Sequence, residues 1–342
     1  MKIRSKAPLR IGLAGGGSDV SPYSNMYGGL VVNATIDLYA YCNIEETDTD
    51  YIELSATDIN EYQRCEIASS LPIDGQLTLH KGVYNRLVKD FAIEPRSFKL
   101  VTYSDAPIGS GLGSSSTMVV ALIKCFAEWY NLPLGEYEIA KLAYEIERID
   151  LALSGGKQDQ YAAAFGGFNF SEFLTNDMVI VNPLHLKRWF IDELESKLLL
   201  YYTGQSRHSA KIIDEQRSNT KKGNEQTITA LDAVKQGAID MKSALLTCDI
   251  HKFADVINRG WENKKKMASS ISNDMIQEVM KAAIDAGAIT GKVSGAGGGG
   301  FIVFVVEPEN RISLINALKS FGGLIMNCRF SEGGPHGWKI WD

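Results

Sequence analysis

The sequence predicts an α+β protein of two domains, and its length and hydrophobic pattern support this prediction. The chain has 342 residues, which exceeds the usual size of one hydrophobic core, so about two domains are expected. Residues 1–105 have mostly the pattern of strands, whereas residues 206–267 have a long helical periodicity with few Gly or Pro. The character changes near residues 175–200, and we therefore place the domains at residues 1–185 and 186–342.

The predicted elements of the first domain are strands, followed by two helices on either side of a turn. The turn has the sequence Asn-Leu-Pro-Leu-Gly, in which Pro and Gly disfavour a continuous helix. In order, we predict strands at 9–14 and 30–44, a helix at 79–91, a strand at 97–103, helices at 114–129 and 137–151, and strand structure at 166–180. In the second domain we predict helices across 206–267, at 274–286 and at 311–321, apolar segments at 291–294 and 301–306, and a strand at 324–330.

Composition and charge exclude several classes of partner. The net charge is −6 and no basic run interleaved with aromatic residues occurs, so neither nucleic acid nor an anionic membrane is expected as a partner. Lys124 interrupts the apolar stretch 118–126, so no membrane span is expected. Arg10 interrupts the apolar stretch that follows the basic residues 2–6, so no signal peptide is expected. The five cysteines are scattered without a Cys-x-x-Cys pair, which disfavours a zinc site and a disulfide framework. We expect a cytoplasmic protein.

Glycine is concentrated in three clusters, which we call the first, second and third glycine loops. They are residues 13–19 (Leu-Ala-Gly-Gly-Gly-Ser-Asp), 107–117 (Pro-Ile-Gly-Ser-Gly-Leu-Gly-Ser-Ser-Ser-Thr) and 294–300 (Ser-Gly-Ala-Gly-Gly-Gly-Gly). Because glycine has no Cβ atom, such loops let the backbone take positive φ and approach a ligand closely. The third loop, taken alone, also fits a flexible entry to the apolar segment that follows it.

The second glycine loop has the pattern of a phosphate-binding loop. It follows a predicted strand and leads directly into the apolar helix that begins near Ser114. The free N–H groups of a helix's first turn, together with the helix dipole, favour an anion, and the dipole alone contributes about 0.3–2 kcal/mol. No Lys follows Gly113, which excludes a Walker A loop, and the sixth position from Gly109 is Ser114, which excludes a Rossmann turn. A solvated turn is the alternative, which the flanking strand and apolar helix disfavour.

Together the loops resemble the motifs of the GHMP kinases, the family of galactokinase, homoserine kinase, mevalonate kinase and phosphomevalonate kinase. Residues 107–116 are similar to its phosphate loop, Pro-x-x-x-Gly-Leu-Gly-Ser-Ser, and residues 294–300 to its C-terminal glycine motif. Residues 7–10 (Ala-Pro-Leu-Arg) are similar to its N-terminal motif, so the resemblance extends from Lys6 to about Phe304. It implies a ribosomal protein S5 domain 2-like N-terminal domain, a ferredoxin-like C-terminal domain and an active site between them.

The resemblance implies an ATP-dependent sugar kinase that uses Mg²⁺. Mg²⁺ prefers oxygen ligands, and the family pattern corresponds to Ser115 and Glu147 in this sequence. Glu145 and Glu147 flank the apolar face of their helix at similar angles, so periodicity does not show which of them is the metal ligand. The alternative for Glu147 is a solvated carboxylate without a metal. The residues expected to bind ATP are Pro107, Gly109, Ser110, Gly111, Leu112, Gly113, Ser114, Ser115 and Ser116.

Two residues are expected to act in the transfer step. Residues 156–160 (Gly-Lys-Gln-Asp-Gln) resemble the galactokinase-type loop with its catalytic Asp, so Asp159 is the predicted base, which accepts the acceptor's proton or mainly orients the hydroxyl. A helix cap is the alternative for Asp159. Arg10 stands where many family members have Lys, and we expect it to stabilise charge near the transferred group. A structural ion pair with Asp159 is an equal alternative, because Arg offers a fixed fork of donors.

The acceptor is predicted to be a sugar phosphate. The first glycine loop and residues 156–161 look most like the branch of the family that phosphorylates D-glycero-D-manno-heptose 7-phosphate at O1. Such a substrate requires a second anion site, for which Thr203, Arg207 and Ser209 are candidates. Surface charge on a solvated helix is the alternative for Arg207, and turn capping is the alternative for Asp19. The residues expected to bind the acceptor are Gly17, Ser18, Asp19, Thr203, Arg207, Gly297 and Gly298.

Other functions compete with this one. A kinase of an unphosphorylated sugar (fucose, galactose or an amino sugar) would not need Arg207. A non-catalytic sugar sensor on the same fold would be expected to lack the base or a metal ligand, whereas Asp159, Glu147 and Ser115 are all present. A related decarboxylase is disfavoured by Asp19 and the galactokinase-like loop, and a dehydrogenase by the missing Rossmann spacing. Either a monomer or a homodimer is expected.

Overall fold

The computed structural model describes residues 1–204 and 209–341. These residues form twelve strands, which in chain order are β1 (Lys2–Ala14), β2 (Gly29–Glu46), β3 (Tyr51–Ala56), β4 (Glu61–Glu66), β5 (Phe98–Ser104), β6 (Phe168–Phe173), β7 (Val179–Pro183), β8 (Leu198–Tyr202), β9 (Ala288–Val293), β10 (Phe301–Val306), β11 (Leu324–Asn327) and β12 (His336–Ile340). Within this part of the chain, no helix combines the length and apolar character that crossing a membrane requires.

The strands assemble into two sheets. The larger has eight strands in the order β12-β1-β2-β5-β3-β4, with β6 paired to β2 and β7 paired to β6. The smaller has four strands in the order β11-β8-β10-β9. Neighbouring strands are antiparallel, with the exception of β3 and β5, which are parallel. The last strand, β12, returns to the larger sheet, where it pairs with β1.

Eleven α-helices pack on these sheets in the described part of the chain. They are α1 (Tyr23–Tyr27), α2 (Thr78–Phe91), α3 (Ser114–Tyr130), α4 (Glu136–Glu145), α5 (Gln158–Phe165), α6 (Arg188–Lys197), α7 (Ser209–Lys221), α8 (Glu225–Leu246), α9 (Ile250–Lys264), α10 (Asp274–Asp285) and α11 (Arg311–Lys319). Helix α3 lies across β1 and β2, and its nearly continuous apolar sequence is buried on most sides because α2, α4 and α5 also pack against it. Asn224, Asp249 and Asn273 cap the starts of α8, α9 and α10.

Strand β10 is apolar at every position because both of its faces are covered. Phe301, Val303 and Val305 join a core that also contains Leu9 and Ile11 of β1. The residues between them face a second core, formed with α10 and α11. Side chains of the two sheets therefore share one core, and the glycine loops beside β1 and β10 are held near each other.

The α+β class is confirmed, and most of the predicted elements are present. Two predictions differ in detail. The helix predicted at 137–151 is α4 followed by a π-helical turn at Ile146–Asp150, and the strand predicted at 166–180 is the hairpin of β6 and β7. Helices α1, α5 and α6 and strands β3, β4, β8 and β12 were not predicted individually. The division of the chain at residues 1–185 and 186–342 stays a prediction.

Candidate active site

The three glycine loops meet at one place in the structure. A Cβ atom built on Gly111, whose φ is +81°, would lie 2.5 Å from the backbone O of Ser294, so the second and third loops are in backbone contact. Phe301 N also donates to Ser110 O at 2.8 Å. Asp19 joins the first loop to the start of α5 through bonds to backbone N–H groups. Only glycine fits at Gly111, because both its φ and the close carbonyl exclude a side chain.

The second loop presents backbone N–H groups at the start of α3. Gly109, Gly111 and Gly113 have φ of 74°, 81° and 79°, and α3 begins directly after them. No side chain caps the first turn of α3, so its N–H groups are available to an anion. This geometry fits the predicted phosphate loop.

The serines of this loop differ in what their hydroxyl groups do. Ser110 Oγ and Ser114 Oγ lie 2.9 Å apart and are buried, so they hold the loop together. Ser116 Oγ accepts a hydrogen bond from Gln160 Nε2 at 3.0 Å and is also buried. Ser115 is exposed, and its hydroxyl group donates to Glu147.

The two candidate carboxylates of the α4 region point to different partners. Ser115 Oγ donates to Glu147 Oε1 at 2.9 Å, and Gln160 Nε2 donates to Glu147 Oε2. Glu145 instead accepts from Arg86, away from the loop. Glu147 lies in the π-helical turn, where the wider backbone changes the direction of its side chain, and it is fully buried. Helical periodicity did not distinguish Glu145 from Glu147; in the structure, Glu147 is the one that contacts Ser115.

Arg10 and Asp159 form an ion pair at the centre of the site. Arg10 Nε and Nη2 lie 2.8 and 2.6 Å from Asp159 Oδ1, and Nη1 donates to Gly111 O at 2.7 Å. The Arg10 side chain is 3% exposed and that of Asp159 is 25% exposed, so the carboxylate is the part that a ligand can reach. Asp159 lies in the first turn of α5, beside Gly113 of the second glycine loop.

Asp19 is buried and its carboxylate is fully bonded. Oδ2 accepts from the backbone N–H groups of Lys157 and Gln158, both at 3.0 Å. Oδ1 accepts from Gly17 N at 3.1 Å and from Gln158 Nε2 at 2.8 Å. Burial raises the pKa of Asp19 above its usual value, against the hydrogen bonds, which lower it. Asp19 thus fixes the start of α5, the helix that carries Asp159.

The other predicted acceptor residues mostly pack against neighbouring segments. Ser18 is buried and bonds to Gly15 O and Leu30 O. The backbone of Gly298 bonds to residues 271 and 273, and Gly297 lies against the same segment. The backbone oxygen of Gly17 accepts a hydrogen bond from Gln216 Nε2 at 3.0 Å. The backbone N–H of Thr203 donates to Gly300 O at 3.1 Å. Arg207 lies outside the described residues.

Two lysines that the sequence analysis did not identify also reach the site. Lys264, the last residue of α9, donates to Gly295 O, and Lys292 on β9 donates to Leu13 O at 3.1 Å. Burial, together with the charge of nearby Arg10, lowers the pKa of Lys264 to about 8. Burial, together with the charges of Lys264 and Arg10, lowers the pKa of Lys292 to about 7. Lys292 could have been identified from the sequence, because it lies two residues before the third loop. No local pattern indicates that Lys264, at the end of α9, lies at this site.

Two cavities lie outside this cluster. One has a volume of about 580 Å³ and is bounded by α2, Asp150 and Leu151. The other, of about 290 Å³, lies beside α9 and includes Thr290 and Glu307. Neither contains a glycine-loop residue or Asp159. The candidate active site is nevertheless at the glycine loops, because the charged and hydrogen-bonding groups that a reaction needs converge there and not at the cavities.

Comparison with known proteins gives matches along the whole chain. Residues 78–167 match the family described as GHMP kinases N terminal domain, and residues 241–324 match GHMP kinases C terminal. The D-glycero-alpha-D-manno-heptose 7-phosphate kinase of Campylobacter jejuni is 50% identical over 338 residues, which are 99% of each chain. The crystal structure of a D-glycero-D-manno-heptose 1-phosphate kinase from Bacteroides thetaiotaomicron is 54% identical, with a TM-score of 0.86 over 99% of this chain and 100% of that one. A putative sugar kinase from Campylobacter jejuni is 48% identical, with a TM-score of 0.83 over 99% and 98% of the two chains.

Proposed function

This chain belongs to the GHMP kinase family, and on that basis we propose that it transfers the γ-phosphoryl group of ATP to O1 of D-glycero-D-manno-heptose 7-phosphate, which gives the 1,7-bisphosphate. The observation that carries the proposal is the likeness, over almost the whole of both chains, to the heptose 7-phosphate kinase of Campylobacter jejuni. We assign the reaction to the cytoplasm, where ATP is available, and we keep residues 1–185 and 186–342 as the two domains, with the site between them.

ATP is assigned to the second glycine loop. The N–H groups at the start of α3 favour the phosphate oxygens, because they are uncapped and lie at the positive end of the helix dipole. The backbone of residues 107–116 does most of this binding, since the hydroxyl groups of Ser110, Ser114 and Ser116 are engaged within the protein. Ser115 is the exposed serine of this loop, and its hydroxyl group bonds to Glu147.

Ser115, at the start of α3, and Glu147, in the π-helical turn, fit a magnesium ion. Ser115 and Glu147 offer two oxygen ligands, with 2.9 Å between Ser115 Oγ and Glu147 Oε1. No group of three or more His, Cys, Asp or Glu side chains that could hold a metal occurs among the described residues. Two protein ligands suffice for Mg²⁺, which usually keeps several waters and binds substrate phosphates. When bound, Mg²⁺ neutralises part of the charge on the ATP phosphates.

Asp159 and Arg10 are assigned to the transfer step. The acceptor hydroxyl oxygen forms the new bond to the γ-phosphorus, the bond from that phosphorus to the ADP oxygen breaks, and the hydroxyl proton passes to Asp159. Arg10 supports this role because it binds Asp159 through Oδ1 and so fixes the carboxylate beside the phosphate loop. Its positive charge also stabilises the negative charge of the transferred group.

The acceptor is assigned to the space bounded by the first glycine loop and α5. We retain Gly17, Ser18 and Asp19 as acceptor-binding residues, with Asp19 acting through its hold on the 157–158 backbone as well. Gly297 and Gly298 remain proposed contributors from the third loop. Thr203 and Arg207 remain the proposed ligands of the distal phosphate.

The test is release of ADP with Mg-ATP across a panel of acceptors. The panel contains D-glycero-D-manno-heptose 7-phosphate, the corresponding 1-phosphate, free heptose, fucose, galactose and an amino sugar. We expect rapid turnover of the 7-phosphate and a large loss of turnover in Asp159→Asn. Analysis of the product by ³¹P NMR should show a second phosphorus signal, from a phosphate group bonded to O1.

Three other outcomes would redirect the assignment. Turnover of a free sugar alone would refute the phosphorylated acceptor and support a kinase of an unphosphorylated sugar. Turnover of the heptose 1-phosphate alone would place the acceptor hydroxyl at another carbon. Binding of ATP and sugar without turnover of any acceptor would support a non-catalytic sensor.

A further inference from the structure

Two ammonium groups close enough to Arg10 to interact with it electrostatically have no acidic partner among the described residues. Lys264 Nζ and Lys292 Nζ donate to the backbone oxygens of Gly295 and Leu13. Within the described ranges, no Asp or Glu oxygen lies within 4.0 Å of either ammonium group, whereas Arg10 does have such a partner. Neutral carbonyl groups satisfy hydrogen bonds but do not balance a charge.

The charges around the two lysines are positive on balance. Arg10, Lys264 and Lys292 are three basic side chains that carry positive charge when protonated, and the acids that act on Lys264 electrostatically are Asp19 and Asp159. Four N–H donors already bond to Asp19, and Arg10 already pairs with Asp159. An unpaired cation in a low-dielectric interior is unfavourable, so the site gains from an added anion.

We propose that Lys264 and Lys292, together with Arg10, form an anion site between the first and third glycine loops, and that this site binds a phosphate monoester group. Lys264 is the residue that contacts the phosphate, because it is partly exposed and ends at Gly295 of the third loop. Lys292 is only 9% exposed and lies deeper, where it adds charge and holds Leu13 beside the first loop. Three cations match a phosphate dianion better than a carboxylate. This inference rests on the proposed kinase function for its substrate, but not for the binding of phosphate itself.

The phosphate has two possible sources in the proposed reaction. It is either the phosphoryl group in transfer or the phosphate that the sugar already carries. The two sources differ in kinetics, because loss of a contact made only in the transition state lowers kcat, whereas loss of a ground-state contact raises KM. The same variant therefore identifies the source.

The first experiment measures binding of inorganic phosphate by calorimetry at constant ionic strength, in wild type, Lys264→Met, Lys264→Arg and Lys265→Met. Met keeps the length and packing of the lysine stem without its charge, and Arg keeps the charge. Lys265 is the matched control, since it is the next residue but pairs with Glu262 on the surface. We expect phosphate affinity to fall about 10- to 100-fold in Lys264→Met, to fall less in Lys264→Arg, and to stay unchanged in Lys265→Met. Equal affinity in Lys264→Met and wild type, or no binding by wild type at tens of millimolar phosphate, would overturn the proposal.

The second experiment measures kcat and both KM values of the same variants with Mg-ATP and the sugar phosphate. A lower kcat with unchanged KM values assigns the site to the transferred group, and a higher KM for the sugar phosphate alone assigns it to the sugar's own phosphate. Unchanged kinetics in a folded Lys264→Met would count against the proposal. If wild type phosphorylates no acceptor, the kinase proposal fails, while phosphate calorimetry still decides the anion site. If Lys264→Met lowers Tm markedly, Lys264→Gln replaces it, because its amide can still donate to Gly295 O.

Discussion

Arg10 places two of its nitrogen atoms against a single oxygen of Asp159. The distances from Nε and Nη2 to Oδ1 are 2.8 and 2.6 Å, and a third nitrogen, Nη1, bonds to Gly111 O at 2.7 Å. The arginine thus connects the start of α5 to the second glycine loop. From the sequence, a structural ion pair with Asp159 and a role in the transfer step were alternatives for Arg10. The geometry is compatible with both roles at once, because Arg10 bonds to Oδ1 of Asp159 and leaves Oδ2 for an acceptor hydroxyl.

Asp159→Asn should lower kcat by about 10²–10⁴-fold, because the amide cannot accept the proton of the acceptor hydroxyl. The measurement is steady-state release of ADP with the heptose 7-phosphate. Asp177→Asn is the control, since it removes a nearby surface carboxylate that bonds to Lys157. A loss of less than about tenfold in Asp159→Asn would mean that the carboxylate only orients the hydroxyl.

Arg10→Lys should lower kcat about tenfold or more, although the charge is kept. A lysine ammonium is a single point charge and cannot reproduce the fixed fork that binds Asp159 and Gly111 together. Arg4→Lys, on an exposed position of the same strand, should leave kcat unchanged. Full activity in Arg10→Lys would show that only the charge at this position matters.

Glu147→Gln should weaken the apparent affinity for Mg²⁺ by about 10- to 100-fold, because one charged oxygen ligand is lost beside Ser115. The measurement is the Mg²⁺ dependence of ADP release at saturating ATP. Glu145→Gln is the matched control, because that side chain bonds to Arg86 instead. Equal Mg²⁺ dependence of the two variants would contradict the assignment of the metal to Glu147.

The contribution of Lys264 to stability should increase as the pH rises above about 8. Burial lowers its pKa in the folded chain to about 8, whereas an ordinary lysine has a pKa of 10.5. Between these values the unfolded chain binds more protons, so the free energy of unfolding rises with pH; below about 8 the full cost of the buried charge is present. Denaturant unfolding at pH 7 and 9.5 should therefore favour wild type over Lys264→Met more at the higher pH. Phosphate affinity should change in the opposite direction, because the neutral amine attracts the anion less. A pH-independent difference between the two proteins would refute the lowered pKa.

Gly111→Ala should lower both Tm and kcat. The added Cβ would lie 2.5 Å from Ser294 O in a residue with φ of +81°, so the second and third loops must move apart. A displacement of about 1 Å in a catalytic loop can cost about 10²-fold in rate. Gly75→Ala is the control, since its φ is +59° but no atom lies within 4 Å of the added Cβ. It should cost about 1–2 kcal/mol of stability without loss of kcat. Equal kinetics of the two variants would show that the loop contact is not needed.

The glycine pattern and the order of the motifs were readable in the sequence because they are local. Positive φ at Gly109, Gly111 and Gly113 follows from the run of glycines before an apolar helix, and the structure places α3 directly after them. Family, fold class and kinase activity followed from three such motifs in order, and the comparisons confirm them.

Other features were not readable, because they depend on how distant segments pack. Helical angles left Glu145 and Glu147 equivalent, and the π-helical turn together with α3 directs Glu147 to Ser115. The hydrogen bonds that satisfy the Asp19 carboxylate come partly from the backbone at the start of α5, which is distant from Asp19 in sequence. Lys264 had no local signal at all.

The sequence by itself determined that this protein is a GHMP kinase of α+β class with three glycine loops, since those properties reside in short runs of residues. The tertiary structure alone decided which charges meet there. Arg10, Asp159 and Lys264 come from a strand and two helices far apart in sequence, and their distances are set by the shared core between β1 and β10. Electrostatic interaction depends on separation and burial, and neither quantity is encoded locally.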